Sequence, residues 1–347
     1  MRKTGIFFIA ILAIACTSQK AYKDSISFSL NDFKYSQQIT GEEVHFNNPI
    51  MKPIRIEVQD SLLFTINIGE DSLISIYGLK DRSFIGKRIQ QGQGPNDMLQ
   101  PSFANINKKE IQILDIATSK IYTFPLNDFI TNKAVPYTHE IQLEEQIFSD
   151  VHFLGNKIIS TAHGNKHPFY LFNDLGYEKK EWGEYPVLNK DYTDIENSEA
   201  FQCTFTTNLM NKIVICYRWT DLIEIYDKDG NLEKRLHGPE GFIPYFKETH
   251  TNNVKMAKPE KGKQRDAYYN PVSVGDQFFV LYNGKYVDTE DYSLLSNRIL
   301  VFNWDGTPEQ ILHLDQGIFT FTVDPVSKTI YGISDNPDFH ILKFTYQ

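Results

Sequence analysis

Few residues in this chain have the types and spacing that metal binding or catalysis requires. The nine histidines include no His-Glu-x-x-His pair and the three cysteines include no Cys-x-x-Cys pair, the usual patterns of zinc sites. His163 and His167 are four residues apart, but Gly164 and Pro168 argue against the helix that would align them. There is also no Gly-x-Ser-x-Gly elbow of a serine hydrolase. We therefore expect no metal ion, no cofactor and no serine nucleophile.

One glycine-rich turn could contribute polar groups to a pocket. Residues 92–97 have the sequence Gly-Gln-Gly-Pro-Asn-Asp, which lacks the Gly-Lys-Ser/Thr of a phosphate loop, and Pro95 interrupts the run of N–H donors. Arg88, Gln93 and Asp97 are the candidate pocket residues at this turn. The alternative is a turn that only packs between neighbouring structural units.

Two cysteines could form a disulfide. Cys203 and Cys216 flank a hairpin-like segment, and they face each other if Leu209 and Met210 form its turn. Directly opposed residues have Cα atoms about 4.5–5.5 Å apart, which is within disulfide range. A turn longer or shorter by one residue removes this pairing, and two buried free thiols are then the alternative.

The third cysteine follows an export signal. Arg2 and Lys3 precede an uncharged run over residues 6–15, which at about 1.5 Å per residue is too short to span a bilayer. Residues 13–16, Ala-Ile-Ala-Cys, resemble a bacterial lipobox, in which Cys16 is lipidated and becomes the mature N-terminus. We therefore predict a signal peptide over residues 1–15 and a lipid-anchored segment over residues 16–41. An ordinary signal peptide cut elsewhere is the alternative.

The charge and the leader together restrict location and partners. The chain has a net charge of −9, and loss of the leader removes two positive charges and no negative one. Such an acidic chain is a poor candidate for binding nucleic acid or anionic lipid, so we expect no nucleic-acid partner. Thr17 to Lys20 contain no acidic residue, which favours a periplasm-facing lipoprotein of the cell envelope over a surface-exposed one.

A repeat of roughly fifty residues dominates the rest of the chain. Six short apolar strands end in an aromatic residue, at residues 74–77, 121–124, 169–172, 223–226, 299–302 and 341–344. Two further strand series precede them with the same period. Several short strands per repeat indicate a β-propeller, because each small sheet can bury its faces only against its neighbours.

The number of strands predicts six blades and the way in which the ring closes. Six third strands but only five fourth strands are present, and Gln347 ends the chain three residues after Phe344. The missing strand must come from the N-terminal side, either from residues 43–46 or from residues 26–30. We therefore predict an all-β fold, a six-bladed β-propeller over residues 42–347 closed by an N-terminal strand.

One interval between blades is longer than the others. The strand pattern lapses over residues 241–268, a segment of net charge +3 in an otherwise acidic chain. Insertions between a fourth strand and the next blade lie on one rim of a propeller. The segment is either a lid or docking loop for an anionic group or partner, or a solvated surface loop.

Together, these features resemble a known family. The Gly-Gln-Gly-Pro-Asn-Asp element at residues 92–97, the lipobox, the length and the six repeats are similar to TolB-like six-bladed propeller lipoproteins of Bacteroidota. Asp97 stands where that family has an acidic residue. The resemblance implies a role in binding a ligand or partner and implies little about chemistry.

Two functional hypotheses from different classes follow. The first is a non-enzymatic, membrane-tethered binding or scaffold propeller for a protein, peptide or glycan. The second is a divalent-cation-dependent hydrolase or lyase with its site in the central tunnel, since Asp115, Asp150 and Asp324 lie near predicted strand ends. The starts of the predicted inner strands do not present an evident ligand set, so the sequence favours the first hypothesis.

Overall fold

The computed structural model describes residues 21–132, 135–147, 149–162, 165–188, 192–208, 212–251, 254–290 and 292–347. The predicted signal peptide and Cys16 lie outside the described residues, as do His163 and the predicted turn at Leu209 and Met210.

The first strands come from the N-terminal segment and the next sixteen form four blades. The N-terminal strands are β1 (Ile26–Ser27), β2 (Tyr35–Ile39) and β3 (Glu42–Glu43), with a 3-10 turn at Leu30–Asp32. Blade one is β4 (Pro53–Gln59), β5 (Leu62–Asn67), β6 (Ser72–Gly78) and β7 (Phe84–Gln90). Blade two is β8 (Pro101–Ile106), β9 (Glu110–Asp115), β10 (Lys120–Pro125) and β11 (His139–Gln142). Blade three is β12 (Val151–Leu154), β13 (Lys157–Thr161), β14 (Phe169–Asn173) and β15 (Lys180–Trp182). Blade four is β16 (Cys203–Thr207), β17 (Ile213–Tyr217), β18 (Leu222–Tyr226) and β19 (Leu232–His237).

The C-terminal part adds a separate hairpin and the last two blades. The hairpin consists of β20 (Phe246–Thr251) and β21 (Val254–Pro259). Blade five is β22 (Tyr268–Val274), β23 (Gln277–Tyr282), β24 (Ser296–Asn303) and β25 (Pro308–Ile318). Blade six contains β26 (Thr320–Asp324), β27 (Thr329–Ser334) and β28 (His340–Thr345). The innermost strands of neighbouring blades contact one another in chain order, and the last of them contacts the first, so the six blades form a ring.

The core lies between the blades. The middle strands of each sheet are covered on both faces, which explains why β6, β17, β18 and β27 are buried along their whole length. Their continuous apolar runs are the strands that the sequence repeat identified. Aromatic side chains fill the spaces between sheets, as where the rings of Trp182 in blade three and Tyr226 in blade four lie 5.2 Å apart.

The N-terminal side closes the ring, as the strand count predicts. Strand β3 pairs antiparallel with β28, with Glu43 opposite Leu342, and becomes the outer strand of blade six. The N–H of Val44 continues this pairing by donating to the Ile341 carbonyl at 2.8 Å. Of the two candidate segments, the one predicted at residues 43–46 is therefore at the closing position, but the paired residues are 42–44.

The other candidate segment has a role that the sequence did not indicate. Strand β1 adds in parallel to the outer edge of β19 in blade four, and β2 adds in parallel to β25 in blade five. Residues 21–43, which we call the N-terminal strap, thus cross the outer edges of three successive blades. The strap covers edges that would otherwise leave backbone N–H and carbonyl groups unpaired.

Two short helices interrupt the strands. Helix α1 (Leu126–Thr131) lies between β10 and β11, and α2 (Asp194–Ala200) precedes blade four. Thr193 and Glu196 form a capping box at the start of α2, which satisfies two backbone donors of its first turn. Among the described residues, no helix is both long enough and apolar enough to span a membrane.

The long insertion is partly a folded hairpin, which the lapse of the strand pattern did not predict. Strands β20 and β21 pair antiparallel with Phe246 opposite Pro259, and α2 packs against both strands. Phe246 and Ala257 are buried, while most neighbouring positions are polar. The hairpin has too few apolar residues to produce a clear alternating pattern. We call β20 and β21 the insertion hairpin.

The disulfide predicted between Cys203 and Cys216 is wrong. Cys203 lies opposite Tyr217, and Cys216 lies opposite Thr204, so the register differs by one residue from the predicted one. A shift of one residue places the two side chains on opposite faces of the sheet. Both thiols are free, and burial raises the pKa of each.

We expect the contact at the closing strand to be important for stability. The Val44 side chain is 2% exposed, and Val44→Ala removes two methyl groups from the junction between the chain ends. The free energy of unfolding should fall by roughly 2 kcal/mol in urea titrations followed by tryptophan fluorescence. Val326→Ala is the matched control, because Val326 is 93% exposed and should change stability little. Equal effects of the two substitutions would contradict the assigned closure.

Candidate functional site

The two rims of the propeller differ in their connections. Successive strands within each blade are antiparallel, so second-to-third connections share one rim with the connections from each fourth strand to the next blade. That rim carries three long connections, at residues 183–202, 238–267 and 283–295. The other rim carries mostly short turns. We call the first the insertion rim.

A central tunnel runs between the innermost strands and encloses a cavity of about 370 Å³. Its lining comes from all six blades and mixes polar with aromatic side chains. The innermost strands begin at the insertion rim, so Arg55, Ser102, Asp150, Thr204 and Thr320 lie toward the mouth of the tunnel on that side. The cavity falls in the size range of small-ligand sites.

Three blades are joined by charged and polar groups at this mouth. The Arg55 guanidinium of blade one lies 3.3 Å from an Asp150 carboxylate oxygen just before blade three. The Ser102 hydroxyl of blade two donates to the other oxygen of Asp150. The carboxylate therefore holds two blades to a third, and its charge is compensated by the arginine.

Two further ionisable groups line the cavity beyond the mouth. The Thr322 hydroxyl donates to Glu57 at 3.0 Å, and desolvation raises the pKa of Glu57 to about 7. Burial lowers the pKa of His152, with Asp150 acting in the opposite direction, and the His152 ring packs edge-on against Phe205 at 4.7 Å. Both shifts favour the uncharged forms. The tunnel thus offers hydrogen-bonding groups with little net charge.

Buried polar side chains hold the connections of the insertion rim in place. Asp221 is fully buried and accepts hydrogen bonds from the backbone N–H groups of Glu240 and Gly241, at 2.8 and 2.7 Å. Gln264 is also fully buried, donating to the Trp219 carbonyl at 2.9 Å and accepting from the Tyr245 N–H at 2.7 Å. These side chains satisfy backbone groups that irregular structure would otherwise leave unpaired.

An ion pair at the same rim links blades four and five. Asp266 is fully buried and lies 3.1 Å from the Arg218 guanidinium, while the Tyr292 hydroxyl donates to its second oxygen. Arg218 also stacks over the Trp219 ring at 4.2 Å. Sequence reasoning missed Asp221, Gln264 and Asp266, because a polar residue between strands has the local pattern of an ordinary turn.

The insertion packs on blade four and the helix that precedes it. The Tyr192 hydroxyl donates to the Pro244 carbonyl at 2.7 Å, and the Glu248 N–H donates to a Glu196 carboxylate oxygen at 3.0 Å. A second cavity of about 450 Å³ lies between blades three and four, lined by residues including Tyr185, Phe201, Gln202 and Cys203. Connections on this rim are therefore folded onto one another around the tunnel.

The structure brings together only part of the pocket predicted at the glycine-rich turn. Arg88 and Asp97 line a small cavity of about 120 Å³, whereas Gln93 is exposed and does not line it. The Arg88 guanidinium is buried and donates to the carbonyls of Lys87, Phe129 and Ile130, which ties blade one to α1. Asp97 accepts from the Gly94 N–H at 2.9 Å and shapes the turn. A ligand-binding role for the three residues stays a prediction.

The aspartates considered for a cation site lie apart. Asp115 accepts from the Gln100 N–H at 2.8 Å, Asp150 lies at the tunnel mouth, and Asp324 accepts from the Val326 N–H at 3.0 Å in a turn on the opposite rim. Within the described parts of the chain, no three His, Cys, Asp or Glu side chains are grouped in a way that could hold a metal ion.

The shift at Glu57 predicts a dependence of stability on pH. The folded protein holds this proton up to a pH of about 7, whereas the unfolded chain releases it near the ordinary value of 4.5. Stability should therefore fall as pH rises from about 4.5 to about 7. Glu57→Gln should remove this loss. From pH 5 to pH 8, the free energy of unfolding of the variant should rise relative to that of the native protein by on the order of 2 kcal/mol.

Urea titrations at the two pH values test this prediction. Glu290→Gln is the control, because Glu290 is exposed. If the difference in the free energy of unfolding between the native protein and Glu57→Gln stays constant with pH, the prediction is wrong and Glu57 is already ionised in the folded protein.

Comparison with known proteins agrees with this architecture. A family model described as TolB-like 6-blade propeller-like matches residues 28–326. One similar solved structure is a member of the duf4221 family from Bacteroides vulgatus, with 11% identity, a TM-score of 0.56, and coverage of 88% of this chain and 94% of that one. Another is a protein from Bacteroides fragilis described as exported, with 12% identity, a TM-score of 0.54, and coverage of 92% and 99%.

At these identities the likeness to solved structures concerns the fold. No protein with a curated function matches the chain in sequence. The family match covers most of the chain, including parts of all six blades and much of the N-terminal strap. The protein belongs to the TolB-like six-bladed propeller family.

Proposed function

We propose that this protein is a non-enzymatic binding propeller of the cell envelope, held to a membrane by a lipid on Cys16, that engages a protein, peptide or glycan partner. The observation that carries the proposal is the asymmetry of the two rims. Three long connections fold together around one mouth of a cavity of about 370 Å³, and buried polar side chains hold them there. A preformed, rigid surface of this kind reduces the ordering cost of binding.

The chemistry of this surface favours an uncharged, polar partner group at the tunnel. The charges of Arg55 and Asp150 compensate each other, and desolvation favours the neutral forms of Glu57 and His152. Around the mouth, the rim connections expose Val187, Tyr286 and Leu294, which are 71%, 44% and 48% exposed. Hydroxyl or amide groups of the partner would enter the tunnel while apolar groups contact the rim.

Two observations support an envelope location. The charged start, the uncharged run and the lipobox ending at Cys16 have the order of an export signal followed by a lipidation site. A protein of the same fold from Bacteroides fragilis is described as exported. A diacylated or triacylated cysteine would anchor the protein stably.

The anchor is tested by replacing residues 1–16 with a cleavable signal peptide that carries no lipidation site. The native chain should sediment with membranes, and the replaced chain should appear in the soluble envelope fraction, because stable anchoring depends on the acyl chains. Immunoblots of both fractions give the result. A replaced chain that stays fully in the membrane fraction would refute anchoring through Cys16.

The binding surface is tested by filling the tunnel mouth. Thr204→Trp adds a bulky side chain inside the cavity, and we expect it to reduce recovery of a specific partner in pull-downs from native envelopes at least tenfold. Val326→Trp, on the opposite rim at a position 93% exposed, should retain the partner.

Two outcomes would count against this assignment. If both variants retain the same partner, binding does not use the tunnel mouth. If no partner is recovered with the native protein, a small ligand or a cation-dependent reaction in the tunnel becomes the better hypothesis.

A further inference from the structure

The N-terminal strap begins in the same apolar cluster that supports the insertion hairpin. Tyr22 is fully buried and clusters with Phe246 and Ala257 of the hairpin. Its hydroxyl donates to Thr220 at 2.9 Å, and the Thr220 hydroxyl donates to the Phe242 carbonyl at 2.8 Å, at the start of the insertion. The point where the chain enters the propeller is therefore fixed beside the hairpin.

Very little chain separates this point from the proposed lipid. Five residues lie between Cys16 and Tyr22, and a fully extended chain of this length reaches about 20 Å. A lipid on Cys16 would thus hold the hairpin close to the bilayer surface whatever path those residues take. This step rests on the anchor proposed above.

The two faces of the insertion hairpin differ in chemistry. Phe246 and Ala257 point toward α2 and blade four, where they are buried. On the other face, Lys247 lies directly opposite Lys258, and both are exposed. Met256, 44% exposed, follows on the same side of β21, because alternate residues of a strand share a face.

The positive charges on this face have no partners in the described part of the protein. Lys247 and Lys258 form no ion pair there, and neither does Lys261, which is exposed in the turn just after β21. Like charges directly opposite each other destabilise a strand pair. An anionic surface would relieve this repulsion and would attract a segment of net charge +3 in an acidic protein.

We propose that the exposed face of the insertion hairpin docks on anionic lipid headgroups of the membrane that holds the Cys16 anchor. Lys247, Lys258 and Lys261 provide the charge attraction, and Met256 contacts the interfacial region. Docking fixes the orientation of the propeller on the bilayer. In this orientation the hairpin contacts lipid, and the partner binds at the tunnel mouth and at residues 183–202 and 283–295.

The test measures which part of the lipidated protein lies near the bilayer. Met256→Cys is labelled with bimane, and the protein is reconstituted into vesicles of phosphatidylcholine with phosphatidylglycerol and a nitroxide-headgroup lipid. Val326→Cys on the opposite rim is the matched control, and labelled native protein gives the background from the free thiols of Cys203 and Cys216. We expect strong quenching at position 256 and none above background at position 326.

Charge variants then identify the cause of the quenching. Lys247→Glu, Lys258→Glu and Lys261→Glu together should reduce the quenching at position 256 to the level at position 326, as should vesicles of phosphatidylcholine alone or high salt. The control reverses Lys80, Lys108 and Lys109, exposed lysines on the opposite rim, and should change nothing.

The outcomes separate the two proposals. Protein that fails to float with the vesicles lacks the lipid anchor, and the proposed function loses its location. Protein that floats but is quenched equally at positions 256 and 326, or equally with the hairpin lysines reversed, has no docked hairpin, and the inference is overturned.

Discussion

The closure of the ring by paired strands from the two ends of the chain is the constraint on which the rest of the structure depends. Each blade is a small sheet that buries its faces only against its neighbours, so an open ring would expose the apolar faces of blades one and six. Three strands of blade six come from the C-terminus and the fourth, β3, from residues 42–43. Together with the direct contacts between blades six and one, this pairing closes the ring of innermost strands that encloses the tunnel.

The N-terminal strap connects the fold to the proposed location. By adding strands to blades four and five before closing blade six, it fixes where the N-terminal part of the chain enters the propeller. That point lies beside the insertion hairpin and on the side of the insertion rim. With the proposed lipid on Cys16, a tether so short would make orientation on a membrane a property of the fold, and the charge of the hairpin has the sign that an anionic surface requires.

Local patterns predicted much of the fold and little of the site. Strands such as β6 and β18 are covered on both faces, so their apolar runs repeat visibly in the sequence. Because the last repeat lacks its fourth strand, the sequence also indicated that an N-terminal strand closes the ring. The partners of β1 and β2 could not be predicted, because parallel addition to an edge leaves no local pattern. Whether Cys203 lies opposite Cys216 or opposite Tyr217 depends on the length of the intervening turn, which the sequence leaves open. Arg55 and Asp150 meet across 95 residues only after the ring has closed.

Hydrogen exchange of the N-terminal strap tests the central claim, ring closure, most directly. We predict that those backbone amides of residues 35–44 that donate to a neighbouring strand, including the Val44 N–H bonded to Ile341, exchange nearly as slowly as those of the buried strand β27. As urea is added, residues 35–39 should lose protection together with blade five, and residues 42–44 together with blade six. Rapid exchange of residues 35–44 while all six blades remain protected would show that the ring is stable without the strap and would contradict the account.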